Sequence, residues 1–326
     1  MSQTANTFDT YNAKGIRESL SNVIYNISPE ETPFMSNIGR ENVKNTYFEW
    51  QTDALAAAST TNAQVEGDDV TTYDSTSATT RIGNYTQISY KTVLISGTLE
   101  SVDKAGRRSE LAYQLAKRSA ELKRDMESIM LTNQAASAGS AGVSTALRRT
   151  GSLLAFLKTN TDKGTGGVDP VYTTFPNATR TDATAANLRT FTESILKSVI
   201  QKVWASGGNP KLLMVGPVNK QRVSGFAGIA GIRREVTGNR QATIIGAADV
   251  YVSDFGAVSV VPNRFQRERD AFVLDPEYAS VAFLRPFNTI DLAKTGDAEK
   301  RMIVVEYGLK VNNEAAHGIA ADLTTT

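Results

Sequence analysis

His317, set in the run EAAHGIA, is the only histidine of the chain, so it alone could act as the imidazole base of a nucleophilic triad. Such a triad needs a hydroxyl on a strained turn and a carboxylate behind the ring. Nothing beside His317 resembles that turn, and the reading is a surface or interface histidine. With one histidine, metal sites built on histidine pairs are impossible. With no cysteine, thiol nucleophiles, zinc–thiolate sites, iron–sulfur clusters and disulfides are excluded as well. Gly67–Asp69 reads GDD, paired carboxylates of the kind that hold catalytic metal ions. They sit in a low-complexity stretch, and a flexible tip is a poor place to keep two carboxylates at metal distance. GFAGIAGIRRE (Gly225–Glu235) is glycine-rich, but its spacing is GxxGxxG. It lacks the strand-to-helix context and downstream acid of a dinucleotide site, and it has no Walker lysine, so it reads as a packed turn. The basic clusters NRFQRERD (Asn263–Asp270) and GIRRE (Gly231–Glu235) read as solvated faces or inter-subunit ion pairs rather than nucleic-acid contacts. Trp50, in FEWQTD, suits either a core or an interface. No residue is therefore assigned a catalytic, cofactor-binding or metal-ligating role, no cofactor is expected, and the chain reads as a non-enzyme.

The bulk numbers agree with a structural part. The chain has 326 residues, a prior for about two domains. It carries 35 basic and 34 acidic residues and a formal net charge of +1, without the basic surplus of a protein that grips phosphates. The N-terminus, MSQTANTFDTYNAKG, lacks the apolar core of a signal peptide. The sequons at Asn26, Asn84 and Asn177 thus carry little weight, and a reducing cytoplasm is expected. No apolar run approaches the 18 or so residues of a membrane span.

One element stands out. RSELAYQLAKRSAELKRDMESIML (Arg108–Leu131) has no Pro or Gly and is rich in strong helix formers. Leu111, Leu115, Leu122, Met126, Ile129 and Met130 recur at spacings of three and four, which lays them on one stripe. At about 1.5 Å per residue the rod is roughly 36 Å long, about twice the ordinary helix of about 11–12 residues. Gly106 separates it from an earlier start near Thr98. Upstream, residues 1–26 are polar with a short amphipathic run around Ile16, Leu20, Val23 and Ile24, and read as an arm. Ser28, Pro29 and Glu31 have the chemistry of a helix start, with Thr32 as an alternative cap before Pro33. Asn45–Asp53 alternates like a strand, Tyr85–Gly97 reads as a second, and the Ala/Ser/Thr/Gly/Asp segment between them as the tip of a protruding hairpin. A hairpin alone is marginal in water, which points to a neighbouring chain.

A small-residue linker near residue 140 follows the rod. ATAANLRTFTESILKSVIQKVWASGG then reads as a helix with Leu188, Phe191, Ile195, Leu196, Val199, Ile200 and Val203 inward, ended by Gly207. Next come KLLMVGP as a strand, VNKQRVSGF as a helix, and ATIIG, DVYVSDFG, AVSVVPN and AFVLD as short strands, the pattern of a compact α/β domain. Finally Phe287–Ala293 and Arg301–Val311 form two long strands around KTGDAE, and the long helix is their natural cover. The α/β domain is then an insertion between that helix and its sheet.

Four blocks carry a resemblance to a known family. YNAKGIRESLSNVIYNISPEETPFMSNIGRENVKNTYFEWQTDAL, SGTLESVDKAGRRSELAYQLAKRSAELKRDMES, VYVSDFGAVSVVPNRFQRERDAFVLDPEYASVAFLRPFNTIDLAKTGDAEKR and VEYGLKVNNEAAHGIAADL resemble, in order and over most of the chain, the major capsid (major head) proteins of tailed bacteriophages. The resemblance implies an α+β, Hong Kong 97-type (Johnson) capsid fold. Its divisions here would be an N-terminal arm at 1–44, an extended β-hairpin loop at 45–97, a peripheral domain at 98–139 and 286–326, and an axial domain at 140–285. It implies self-assembly as hexamers and pentamers into an icosahedral phage head enclosing double-stranded DNA without sequence-specific binding. A portal, a decoration protein in some relatives, no membrane, and assembly in the host cytoplasm belong to the same expectation. The recognisable fold starts near Tyr11, without the long scaffolding extension of some relatives, so a separate scaffolding protein is expected. No lysine lies between Asp53 and Tyr90, so the Lys–Asn crosslink of some relatives is not expected from that loop. An encapsulin-like compartment shell is the nearest alternative, an α/β enzyme around His317 a more distant one, and a tail or baseplate part a third.

Overall fold

The computed structural model describes residues 31–326 except 65, 68, 70–72, 77, 105, 142–145, 227–249 and 326. In chain order it contains α1 (Pro33–Asn37), β1 (Gly39–Asn42), β2 (Tyr47–Thr52), β3 (Thr80–Tyr85), β4 (Gln87–Ser96), α2 (Gly97–Ser101) and α3 (Glu110–Leu131). Then follow α4 (Leu153–Phe156), β5 (Thr161–Asp162), α5 (Glu193–Ala205), β6 (Leu212–Val215), α6 (Pro217–Ser224), β7 (Val250–Ser253), β8 (Gly256–Pro262) and β9 (Ala271–Leu274). The chain closes with β10 (Ala279–Asp291), β11 (Ala298–Val311) and β12 (Gly318–Ala320).

The strands make three sheets. One is four-stranded in the order β1-β10-β11-β4, one six-stranded in the order β5-β12-β9-β6-β8-β7, and one is the β2–β3 ribbon. The long helix is α3, beginning two residues later than its sequence suggests because Ser109 takes the cap position and accepts the Ala112 N–H at 3.2 Å. The earlier start is broken off as the separate turn α2, with Gly106 at φ +77° between the two, a left-handed conformation that glycine adopts without steric cost. Leu111 and Leu115 pack with Val93 and Ile95 of β4. Leu122, Met126, Met130 and Leu131 join Ile303, Val305, Tyr307 and Leu309 of β11 in the main core. The apolar stripe is thus a rail along the four-stranded sheet, which supplies the burial that such long strands need.

Three expectations change. The return strand of the hairpin is Thr80–Tyr85, in register with Tyr47–Thr52. The expected strand Tyr85–Gly97 is divided at Thr86, and β4 runs antiparallel to β11 instead. The Thr86 side chain turns inward to donate to Glu306 Oε1 at 2.9 Å, which ends one ladder and starts the next. The second helix starts at Glu193, because Thr192 accepts the Ile195 N–H as its cap; Leu188 and Phe191 precede it. The last strand, β12, leaves the helix-backed sheet and inserts between β5 and β9 of the six-stranded one, where Ile319, Ala320, Ala321 and Leu323 are wholly buried. The helix start at Ser28–Pro29, the amphipathic run of 16–24 and the strand ATIIG lie outside the described residues.

The six-stranded sheet draws β5–β9 from between α3 and β10, as an inserted unit does. Leu196, Val199, Ile200 and Val203 of α5 cover one of its faces. The other face is continuous with the first core, since Leu212, Met214, Phe272 and Leu274 belong to the cluster that holds Met126 and Val305.

Candidate assembly surfaces and the polar anchors behind them

The residues with chemical potential are placed as structural parts. His317 is fully buried rather than at a surface. Its Nδ1 accepts the Asp275 backbone N–H at 3.3 Å. Burial lowers its pKa to about 4, against an opposing backbone hydrogen bond at Tyr278, so the ring is neutral at physiological pH. Of the GDD run, Asp68 lies outside the described residues, while Gly67 and Asp69 are exposed in the hairpin tip. Among the described residues no group of three His, Asp or Glu side chains could hold a metal ion, and no helix is long and apolar enough to cross a membrane. GIRRE and most of the glycine-rich run fall outside the described residues.

Within the basic cluster at 263–270, Arg264 is exposed, whereas Arg267 and Arg269 turn to carboxylates of their own subunit. Arg267 pairs with Asp182 at 2.5 Å and with Asp270 at 3.3 Å, and Arg269 reaches Asp322 at 3.4 Å. Asp322 is buried at φ +59° and accepts the N–H groups of Ala183 and Gly164 at 2.8 and 3.2 Å. Arg180 closes the group by bridging Asp322 and Asp169. This loop ties the 160s, the 180s and the C-terminal residues into one corner. The pKa of Asp270 is raised to about 6, by burial first, and then by Asp182 and Asp322 against Arg267 and Arg180.

Two further anchors were not foreseen. Asn84 is buried where the hairpin meets the body. Its amide nitrogen donates to Leu309 O, Thr150 Oγ1 and Gly151 O at 2.6, 3.1 and 3.2 Å. Its carbonyl accepts from Tyr85 N and Gly151 N, both at 2.8 Å. Beside it, buried Glu306 pairs with Arg148 and Arg285, where β10 shifts register against β11. The second anchor is Glu127, on the inner face of α3. Its carboxylate accepts Phe34 N at 2.7 Å, Met35 N at 2.9 Å and Asn263 Nδ2 at 2.7 Å. Thr32 occupies the cap position of α1 without making a cap bond; a side chain 95 positions away in sequence does the capping instead.

Two open surfaces stand out among the described residues. The β2–β3 ribbon carries a tip in which every described residue from 53 to 79 is exposed, Leu55 at 99% and Tyr73 at 86% among them. Its base is seated firmly. Phe48 and Trp50 stack at 5.9 Å, Trp50 lies 6.1 Å from Phe156, and Phe48 rests on Gly308, so Trp50 faces the core. A second open surface is β4. Among the described residues it pairs only with β11, and it exposes Ile88, Tyr90 and Leu94. A long edge strand bearing exposed apolar side chains is a site for pairing with another chain.

The sequence-family model for the SU10 major capsid protein matches residues 2–324. The chain is 28% identical over 340 residues to the major capsid protein of Escherichia phage Phieco32, with 96% of each chain covered. Its fold is similar to that of a Gordonia phage Cozz structure, with TM-score 0.61, 13% identity and coverage of 99% and 98% of the two chains. It is also similar to the capsid of a native GTA particle, with TM-score 0.60, 14% identity and coverage of 97% and 98%. A structure of the Phage G major capsid and decoration proteins matches at TM-score 0.53 and 13% identity, over 99% and 100%. A rail helix under a long sheet and a projecting ribbon agree with these matches: the chain belongs to the SU10 major capsid protein family, with the Hong Kong 97-type fold of tailed-phage capsids.

Proposed function

We propose that this major capsid protein works by interface physics alone, closing as hexamers and pentamers into an icosahedral head around double-stranded DNA, with no catalytic step. The observation that carries the reading is the pairing of a firmly seated ribbon base with a wholly exposed tip, since such a tip gains burial only against another subunit. Residues 45–97 serve as the extended loop up to the β3–β4 break, and the arm is the part of 1–44 ahead of α1, since β1 pairs with β10 in the α3-backed sheet. The α3-backed sheet acts as the peripheral domain and the six-stranded sheet as the axial one. Weak contacts repeated by closed symmetry hold the shell, and a net charge of +1 lets copies pack without strong mutual repulsion. A separate scaffolding protein directs curvature, a portal occupies one vertex, a decoration protein binds the finished lattice, and assembly takes place in the host cytoplasm. A compartment shell without DNA is disfavoured by the family match over residues 2–324.

The test is light scattering on a size-exclusion column with negative-stain images of the peak, for the chain alone and with a candidate scaffold. Closed megadalton particles are expected under at least one condition. A 35.2 kDa monomer under both would refute self-assembly with this scaffold.

A further inference from the structure

Glu127 is fully buried, and its three hydrogen-bond partners are all neutral donors. Two of them belong to α1, the turn from which the N-terminal segment departs. Phe34 and Met35 of that turn are themselves buried, so lifting α1 would return the carboxylate to water. A carboxylate enclosed without a cation prefers its neutral form, and three donors offset that preference only in part. Among the described residues, no charged side chain bonds to the carboxylate. Glu31, Lys220 of α6 and Arg264 line the adjoining groove, and Lys220 is engaged by the Val260 carbonyl at 3.0 Å. Lys123 and Arg124 lie one turn earlier on α3 itself. The α1 turn carries no charge. A protonated carboxyl keeps a carbonyl oxygen for Phe34 and Asn263 and a hydroxyl lone pair for Met35, so neutralisation does not require the turn to leave.

We propose that the seating of α1 on the long helix is proton-linked through Glu127, tightening in acid and loosening as the pH rises. The device sets how readily the root of the N-terminal segment can leave the body of the free subunit. The balance at the carboxyl agrees in direction, since burial raises its pKa more than the Met35, Phe34 and Asn263 bonds lower it. The sign follows from linkage. A carboxyl whose pKa is higher seated than unseated binds its proton more tightly when seated, so seating is strongest below the unseated pKa and weakens as the pH rises through the seated one.

The experiment is hydrogen–deuterium exchange on the full-length unassembled chain from pH 5 to 8, with rates normalised to intrinsic exchange. The reporters are the Ser36 and Ile38 amides, which bond to Thr32 O and Phe34 O. Wild-type protection is expected to fall with rising pH, by about tenfold for each unit by which the seated pKa exceeds the unseated one. Glu127→Gln, neutral at every pH, should flatten the profile. Asn263→Ser removes one donor and should move the midpoint to higher pH, which serves if Glu127→Gln fails to fold. Asp270→Asn, at another buried acid, should leave the profile in place. A flat wild-type profile, a profile that rises with pH, or the same slope in Glu127→Gln would each overturn the proposal.

Discussion

Gly308, in the middle of β11, is where the hairpin is fitted to the body. A methyl group there would sit 2.7 and 2.9 Å from Cε1 and Cζ of Phe48 and 3.1 Å from the Tyr85 carbonyl. Real contacts of that kind are not made, so in Gly308→Ala the Phe48 ring must rotate or the ribbon base must lift. Overpacking of a tight contact costs about 1–3 kcal/mol. Relief of the glycine entropy penalty within a strand returns about 0.5–1 kcal/mol. The net expectation is a loss of about 1–2 kcal/mol, read as a lower urea midpoint with unchanged slope and followed by the fluorescence of Trp50 and Trp204. Phe48→Leu removes the two offending ring carbons. In that background Gly308→Ala is expected to be neutral or to stabilise by about 0.5 kcal/mol, a coupling of about 1–2.5 kcal/mol across the double-mutant cycle. An equal cost in both backgrounds would refute the account, because the penalty would then come from the strand and not from the ring.

Four other outcomes are expected. Asp270→Asn should stabilise the subunit above pH 6, by about 1–3 kcal/mol at neutral pH, with the gain vanishing below the unfolded carboxyl's range. The folded pKa of about 6 lies above 3.8, so ionising the native residue is what costs, and thermal melts across that window would show it. His317 works in the opposite sense. Its folded pKa of about 4 lies below 6.5, so the stability it confers is full above pH 6.5 and lost as the pH falls through 4, about 3 kcal/mol in all; His317→Asn should flatten that part of the stability–pH curve. Asn84→Ala strands several buried partners and should cost about 2–4 kcal/mol, with faster proteolysis in the 53–79 tip. Tyr90→Asp with Leu94→Asp should abolish particle formation in light scattering while shifting the monomer's stability by no more than about 0.5 kcal/mol.

What could be read from the sequence was what local pattern controls. The stripe of α3, the inward face of α5 and the presence of two long strands near the C-terminus depend on neighbours a few residues away, whereas the caps at Ser109 and Thr192 that set where the two helices begin were missed. The errors arose where distant residues decide. TRIGNY looked like loop because glycine and asparagine weaken a strand, yet Gly83 leaves room for the Tyr47 hydroxyl and Asn84 is a buried anchor. Glu127 sits beside Met126 on the apolar face, and nothing in its own helix tells that the backbone of residues 34 and 35 will meet it. His317 looked like a surface residue for lack of catalytic neighbours, whereas its small neighbours Ala315, Ala316 and Gly318 are what let the chain pass so close to α5. Arg267 and Arg269 find their carboxylates at Asp182 and Asp322, far off in sequence.

The insertion of β12 between β5 and β9 bears on how the subunit is made. It follows every other strand of its sheet in sequence, yet it occupies an interior place, hydrogen-bonded on both sides. Until residues 318–323 have been synthesised and have left the ribosome, β5 has no partner and the corner at Asp322 cannot close. A nascent chain therefore holds its six-stranded sheet open while the long helix is already complete, and since domains fold as units during synthesis, the subunit's last surfaces appear late.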